Sequence, residues 1–370
     1  MKSIKEAGPL KGKRVLVRCD FNVPLSGDTI TDDYRIQRTL PLLLYLQKEG
    51  AKVVLVSHIE SEDKTLMPVF KYLREILPMF IVYSIYDKSA DNIFENLKEG
   101  SFVLLENVRR YEGEEKNDQK FAKDLSAFGE IYVNEAFSCS HRSHASIVGI
   151  PKYIPGFAGF LFEDEVKNLS KAFHPPHPFL FILAGAKFET KLPLVEKFLN
   201  LADNVFVGGA LANDLFKAEG LEIGRSLISK GKLDLSSLLK NPKLILPSDV
   251  TVENGQKITV ESPKSVSPQE KMVDAGPETD QVLKQKIKDA KFILWNGPLG
   301  QYEQGFKEPT FVLARAIAES AVETIVGGGD TLATIRELGL FDKFSFVSTG
   351  GGAMLEFLAN ETLPGIEALK

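Results

Sequence analysis

Cysteine is nearly absent: Cys19 and Cys139 are the two thiols in 370 residues. They match no metal-ligand or redox spacing and build no disulfide framework, which excludes a cross-linked secreted scaffold. Both read as small residues buried beside strand ends, in keeping with a reducing compartment. No stretch reaches the twenty or so apolar residues of a membrane span. The start, Met1-Lys-Ser-Ile-Lys-Glu6, leads into charge and glycine instead of an apolar signal core. The expectation is a cytoplasmic protein with no membrane association. A basic excess is missing too, since 45 Lys plus Arg stand against 50 Asp plus Glu, a net charge of −5. That argues against nucleic acid as the main partner, because such proteins carry a basic footprint. There is no long repeat and no low-complexity tract. Nor is there a P-loop, a Gly-x-Gly-x-x-Gly after the first strand of either half, or a protein-kinase catalytic loop.

What is present is an ordinary globular composition, 44% apolar and 26% charged. The length exceeds what one hydrophobic core sustains, so two domains are expected. Short apolar runs mark strands at 14–20, 52–58, 80–84, 102–107 and 131–134, then at 179–185, 205–209, 244–249, 292–296, 324–327 and 344–349. Continuous apolar runs of this length read as strands buried on both faces, as in parallel sheets. Helical patterns lie between them at 38–49, 66–77, 116–128, 192–202, 311–321 and 332–338. The alternation predicts an α/β protein of two doubly wound (Rossmann-like) parallel-sheet domains facing each other across a cleft. The break falls near 149–178, where a turn-rich stretch, a charged helix at 163–173 and His174-Pro-Pro-His-Pro178 follow one another. An N-terminal domain of 1–160 and a C-terminal domain of 161–352 are therefore expected. The alternating segments 250–253 and 257–261 predict a small antiparallel hairpin.

Nearly every expected strand runs into glycine or a polar group at its carboxyl end, where open α/β sheets bind ligands. Two glycine triplets carry the sharpest signal, Gly327-Gly-Gly329 followed by Asp330 and Thr331, and Gly350-Gly-Gly352. Glycines between strand and helix let backbone N–H groups and a positive helix end approach phosphate oxygens. One triplet alone reads equally as a tight turn with an Asp helix cap; two, each ending a strand, point to phosphate. Asp330 and Thr331 are placed to hold Mg²⁺ directly or through water. Lys187 and Lys191, beside Gly185, sit where a strand meets a helix and suit nucleotide phosphates. In the first half Arg35, Arg109 and Arg142, with His58 and His141, lie at or just after strand ends. Arginine forks capture phosphate and carboxylate, so this edge predicts an anionic small-molecule site. Asp20 and Asn22 there hold a hydroxyl or orient an arginine. Arg18, Arg38 and Arg110 read as structural or surface residues, Trp295 as core, and Asn296 as its functional neighbour. Glu303 is a ribose candidate.

With these residues assembled, the chain resembles the phosphoglycerate kinase family over essentially its whole length. The carriers are Val17-Arg-Cys-Asp-Phe-Asn-Val-Pro24, Asp33-Tyr-Arg-Ile36, Leu104-Leu-Glu-Asn-Val-Arg109, Val133-Asn-Glu-Ala-Phe137 and Ser140-His-Arg-Ser-His-Ala-Ser146. In the second half they are Ala184-Gly-Ala-Lys187 with Lys191, Trp295-Asn-Gly-Pro-Leu-Gly300, Gly327-Gly-Gly-Asp-Thr331 and Ser348-Thr-Gly-Gly-Gly-Ala353. The resemblance implies a monomeric glycolytic enzyme exchanging a phosphoryl group between 1,3-bisphosphoglycerate and ADP, with Mg²⁺, to give 3-phosphoglycerate and ATP. It implies that Asp20, Phe21, Asn22, Arg35, His58, Ile59, Glu60, Ser61, Arg109 and Arg142 line the phosphoglycerate site. It likewise places nucleotide at Gly185, Lys187, Lys191, Asn296, Glu303, Gly327, Gly328, Gly329, Asp330, Thr331, Leu332, Gly350 and Gly351, with Asp330 serving Mg²⁺. Segment 353–370 resembles the family's tail, which returns to the N-terminal domain. Acyl-phosphate chemistry of this kind needs no general base, only positioning and charge cancellation, which Arg35 and Lys187 are expected to supply. One departure stands out. The family usually reads His-Leu-Gly-Arg-Pro where this chain has His58-Ile-Glu-Ser-Glu62, so an arginine is missing at Ser61 and acidic residues flank it. Arg110 and Lys64 are the nearby cations that can compensate. Two other readings stay open, a nucleotide-binding scaffold without turnover and a nicotinamide-dependent dehydrogenase; the missing dinucleotide fingerprint weighs against the latter.

Overall fold

A computed structural model describes residues 1–60, 65–87, 89–186, 188–231 and 234–370, with side chains excepted at 89–91, 189 and 190. Residues 1–167 with 360–370 form one compact unit, and residues 168–359 form a second.

The first unit is built on strands β1 (Arg14–Arg18), β4 (Lys52–Val56), β5 (Met79–Val82), β6 (Phe102–Leu105), β7 (Ile131–Asn134) and β8 (Gly156–Ala158). A two-residue hairpin, β2 (Leu25–Ser26) with β3 (Thr29–Ile30), stands apart from them. All pairings in the six-stranded sheet are parallel, in the order β5-β6-β4-β1-β7-β8. Val15, Leu16 and Val17 and the run Val53 to Val56 are fully buried. That is what two covered sheet faces require. The chain leaves β1 toward β4 on one side and later returns to β7 on the other. A topological switch point therefore lies beside β1, where loops part and leave a crevice.

β8 lies in a stretch that reads as turns in the sequence. Its glycines answer to close approach: a Cβ on Gly156 would meet Leu369 at 2.8 Å, and one on Gly159 would overlap the Glu135 carboxylate. The 160–170 helix (Phe160–Ser170) follows, and Leu161 N–H donates to both Glu135 oxygens at 3.1 Å. The helix Tyr34–Lys48 starts four residues ahead of the start read from the sequence, since its first turn is polar apart from the buried Ile36, and the rest of its apolar stripe, Leu42, Leu43 and Leu46, comes later. Arg35 consequently stands in the first turn of a helix, not at a strand end as the sequence implied.

The second unit repeats the scheme with β9 (Phe179–Leu183), β10 (Asn204–Val207), β11 (Leu244–Ile245), β15 (Phe292–Asn296), β16 (Glu323–Gly327) and β17 (Phe346–Val347). Its sheet is wholly parallel in the order β11-β10-β9-β15-β16-β17, so its switch point lies between β9 and β15. The expected hairpin is present as β12 (Val250–Asn254) and β13 (Lys257–Glu261), and β14 (Lys271–Ala275) adds a third antiparallel strand. The helix Gly352–Asn360 packs in this unit, with Phe357 5.7 Å from Phe173. Residues 360–370 belong to the first unit, where Gly365 N–H reaches Ser140 O at 2.9 Å. Among the described residues no helix is long and apolar enough to cross a membrane.

Candidate active site

In the first unit the switch-point loops converge on a cluster of guanidinium groups. Asp20 follows β1 directly, and its Oδ2 lies 3.3 Å from Arg35 Nη1. The same Arg35 nitrogen donates to Asn22 O at 2.7 Å. Asp20 also accepts from Asn22 N–H at 3.1 Å and from the Ser138 hydroxyl. Burial opposes its ionisation, but Arg35 and these hydrogen bonds win, and the Asp20 carboxyl is held below its usual range. His58, at the end of β4, is pushed the other way from an imidazolium: burial and the Arg18 guanidinium both lower its pKa. Arg18 Nη2 lies 3.3 Å from His58 Nδ1. An arginine only donates, so Nδ1 accepts and the ring proton sits on Nε2.

Arg109 and Arg142 come from the loops after β6 and β7. Arg109 Nη1 and Arg142 Nη1 both face the Glu60 carboxylate, the second at 3.8 Å. Nε and Nη2 of Arg109 are buried without a hydrogen-bond partner, Nε lying 3.5 Å from Glu115 Oε1. Unpaired buried donors are uncommon, and these point toward groups that could accept from them, such as an anion. Arg142 Nε reaches its neighbour His141 at 3.4 Å. Thus Asp20, Asn22, Arg35, His58, Glu60, Arg109 and Arg142, separate in sequence, lie in one network. Phe21 and Ile59 differ. Their side chains are core, and their N–H groups are committed to Ser57 Oγ and Asn107 Oδ1. Ser61 and Lys64 lie outside the described residues.

In the second unit the loops after β9, β10, β16 and β17 lead into helices at Phe188, Ala210, Gly329 and Gly352, and the loop after β15 runs on to a helix at Glu308. Gly209 and Gly328 cap two of these helices and offer no side-chain acceptor; at the first, Leu211 N–H turns to Gly185 O at 3.1 Å, while the start of the helix at Gly329 presents first-turn N–H groups to an anion. The helix Phe188–Leu201 starts four residues before the 192 read from the sequence, so Lys191 falls in its first turn, and its Nζ donates to Ala184 O at 2.8 Å. Asn296 ends β15 and donates to Gly327 O at 2.9 Å, and Gly297 N–H donates to Thr331 Oγ1 at 2.9 Å. Those bonds tie the two strand ends together. Gly329 and Asp330 are exposed, Thr331 is buried, and Leu332 is half-buried in the same helix. At the second triplet, Gly350 N–H bonds to Ser348 Oγ at 3.0 Å, and Gly351 has φ 52°. Lys187 lies outside the described residues.

Beside these loops is a cavity of about 390 Å³, reached by Gly185, Gly209, Pro298, Tyr302, Glu303 and Asp330. That volume is in the range of small-molecule sites. The Asp330 carboxyl is raised by burial and by Glu303, while Lys191 lowers it. Asp274, from β14, also lines the cavity, and burial pushes its carboxyl up to about 8.

The sequence reading missed several of these neighbours. Arg18, taken as structural or surface, is fully buried under His58, and its Nε donates to Ser146 Oγ at 2.7 Å. Cys139 lies 4.0 Å from His58 Nδ1, and with Asp20 it forms the one group of three metal-type ligands among the described residues. Arg18 and Arg35 lie against that group, so it suits an anion better than a cation. Asp274 carried no signal, since a lone Asp in an apolar strand has no distinctive spacing.

This architecture has counterparts among known proteins. The family model described as phosphoglycerate kinase matches residues 4–361. The phosphoglycerate kinase of Dictyoglomus turgidum is 43% identical over 383 aligned residues, covering 98% of this chain and 96% of that protein. That of Thermosipho africanus is 42% identical, with 97% and 96% covered. Among solved structures, phosphoglycerate kinase from Coxiella burnetii superposes with a TM-score of 0.85 at 35% identity, covering 99% of this chain and 97% of that one. The enzyme from Pyrococcus horikoshii gives 0.86 at 31%, with 100% and 98% covered. The chain belongs to the phosphoglycerate kinase family, a family of glycolytic kinases.

Proposed function

We propose that the protein acts as a monomeric cytoplasmic phosphoglycerate kinase, moving a phosphoryl group reversibly between 1,3-bisphosphoglycerate and ADP in the presence of Mg²⁺. The observation that carries this reading beyond family membership is Arg109, a largely buried side chain whose Nε and Nη2 make no hydrogen bond, beside Arg142 and Asn22-held loops. In this reading the first unit takes phosphoglycerate through Arg35, Arg109, Arg142, Asp20, Asn22 and His58. The second takes nucleotide at Lys187, Lys191, Asn296 and the glycine loops, with Glu303 toward the ribose and Asp274 at the cavity wall.

Neither carboxylate nor phosphate oxygens need deprotonation near neutral pH, so no residue acts as a general base. His58, kept neutral, donates a hydrogen bond from Nε2 and takes no proton. Arg35 and Lys187 place positive charge where the moving phosphoryl group carries negative charge. Asp330 fits Mg²⁺: it is a carboxylate at a helix start beside the phosphate-side glycines, and burial first and the Glu303 charge second disfavour its ionised form, a cost that a dication relieves. When bound with nucleotide, Mg²⁺ neutralises phosphate oxygens. The reaction also requires exclusion of water, for which hinge closure of the two units is the proposed means.

A coupled assay of ATP consumption with 3-phosphoglycerate tests the proposal, and turnover that depends on both substrates and on Mg²⁺ is expected. ATP binding without turnover at high 3-phosphoglycerate overturns it in favour of a nucleotide-binding scaffold.

A further inference from the structure

We infer that Glu60 sets the affinity for the anionic substrate, acting as a built-in competitor that occupies the phosphate seat between Arg109 and Arg142. The inference rests on the reading that these arginines hold the phosphate of phosphoglycerate. One oxygen, Glu60 Oε1, contacts Arg109 Nη1 and lies 3.8 Å from Arg142 Nη1. The two guanidiniums come from different loops, so a single carboxylate bridges groups that a phosphate would also bridge.

Glu60 is also held in place. Its N–H donates to Asn22 Oδ1 at 2.9 Å, and Asn107 Nδ2 donates to Ile59 O at 2.9 Å. Asn22 thus links the competitor to the Asp20–Arg35 pair. Exposure separates the partners: the Arg109 side chain is 11% exposed and that of Glu60 55%. Glu60 is thus the solvent-facing member of the pair, while Arg109 Nε and Nη2 are buried without a hydrogen-bond partner.

A carboxylate brings one charge and two oxygens; a phosphate dianion brings more charge and three oxygens, and accepts a forked guanidinium as well. The phosphate therefore displaces Glu60, and singly charged anions do so poorly. Breaking the internal ion pair costs the substrate equally in the ground state and the transition state. Such a cost raises KM and leaves kcat unchanged.

The test is steady-state kinetics of full-length E60Q and E60A. KM for 3-phosphoglycerate should fall about three- to tenfold, the range set by one partly exposed ion pair facing two arginines. In both variants kcat and KM for ATP should change less than about twofold, and inorganic phosphate should inhibit competitively at lower concentration. Arg109→Ala is run alongside. If it leaves KM for 3-phosphoglycerate unchanged, the phosphate-seat reading fails and the inference with it. If Arg109→Ala raises KM while E60Q leaves it unchanged or raises it, the site stands and the role of Glu60 is overturned. In the Arg109→Ala background, the gain from E60Q should shrink, which a merely structural glutamate would not produce.

Discussion

Arg35 spends one guanidinium nitrogen on both Asp20 Oδ2 and Asn22 O. Its position in the first turn of the 34–48 helix brings it back over the end of β1. Truncation to Ala removes transition-state charge and leaves Asp20, a buried carboxylate, without its main cation. We expect Arg35→Ala to lower kcat by on the order of a hundredfold or more while KM for ATP stays within about twofold. Initial rates with ATP and 3-phosphoglycerate varied in turn measure both; unchanged turnover sinks the catalytic assignment. His58 gives a spectroscopic counterpart. Burial and Arg18 keep it neutral, so nitrogen NMR at pH 6 should report an Nε2–H imidazole, whereas an exposed histidine is then largely protonated.

At the scale of elements, the nucleotide side depends on how closely strand-end loops pass each other. Gly209 ends the β10 loop with φ 61°, in the left-handed region, and a Cβ there would lie 2.7 Å from Gly185 N. The obstacle is backbone, which no rotamer change relieves. Gly209→Ala should cost about 2 kcal/mol or more in urea unfolding and weaken ATP binding, because the β9 and β10 loops must part to admit the methyl. Gly220→Ala is the control: it also has positive φ, but with nothing within 4 Å of the added Cβ. It should carry the backbone strain alone and leave ATP affinity intact. Equal loss of ATP affinity in both variants would argue against the crowding account.

For the whole molecule, stability should be limited by buried titratable groups at both ends of the pH scale. His58 has a folded pKa below its unfolded value. The unfolded chain therefore binds a proton that the folded chain refuses, and stability falls as pH drops below about 6.5. Asp274 acts with the opposite sense. Burial raises its folded pKa to about 8, far above the ordinary aspartate range, so the folded state holds the extra proton and stability falls as pH rises through that interval. Asp274→Asn should therefore gain stability over the parent between pH 4 and pH 8, on the order of a few kcal/mol at the upper end. Urea unfolding at several pH values measures this. A constant difference across that range overturns it.

Two parallel sheets were legible in the sequence, because strands covered on both faces must be continuously apolar and runs such as 52–56 and 292–296 have no other use. The glycine loops and the loop arginines Arg109 and Arg142 were legible too, since glycine at a strand end and arginine in a polar loop have few structural reasons to be there, whereas Arg35 turned out to lie in a helix. The apolar pattern, by contrast, misplaced the start of the 34–48 helix and hid β8, because a polar first turn and close-packed glycines both imitate loops. It also hid Arg18 under His58, Cys139 beside Asp20, and Asp274 in the cavity wall. Periodicity reports which side of an element is buried. It carries nothing about which strand ends become neighbours; the crossovers decide that by returning β7 beside β1 and β15 beside β9. The sequence by itself determined the residue types on each carboxyl edge. The tertiary structure decided that Glu60 would meet Arg109 and Arg142, because only the folded sheet brings those loops within the reach of one carboxylate.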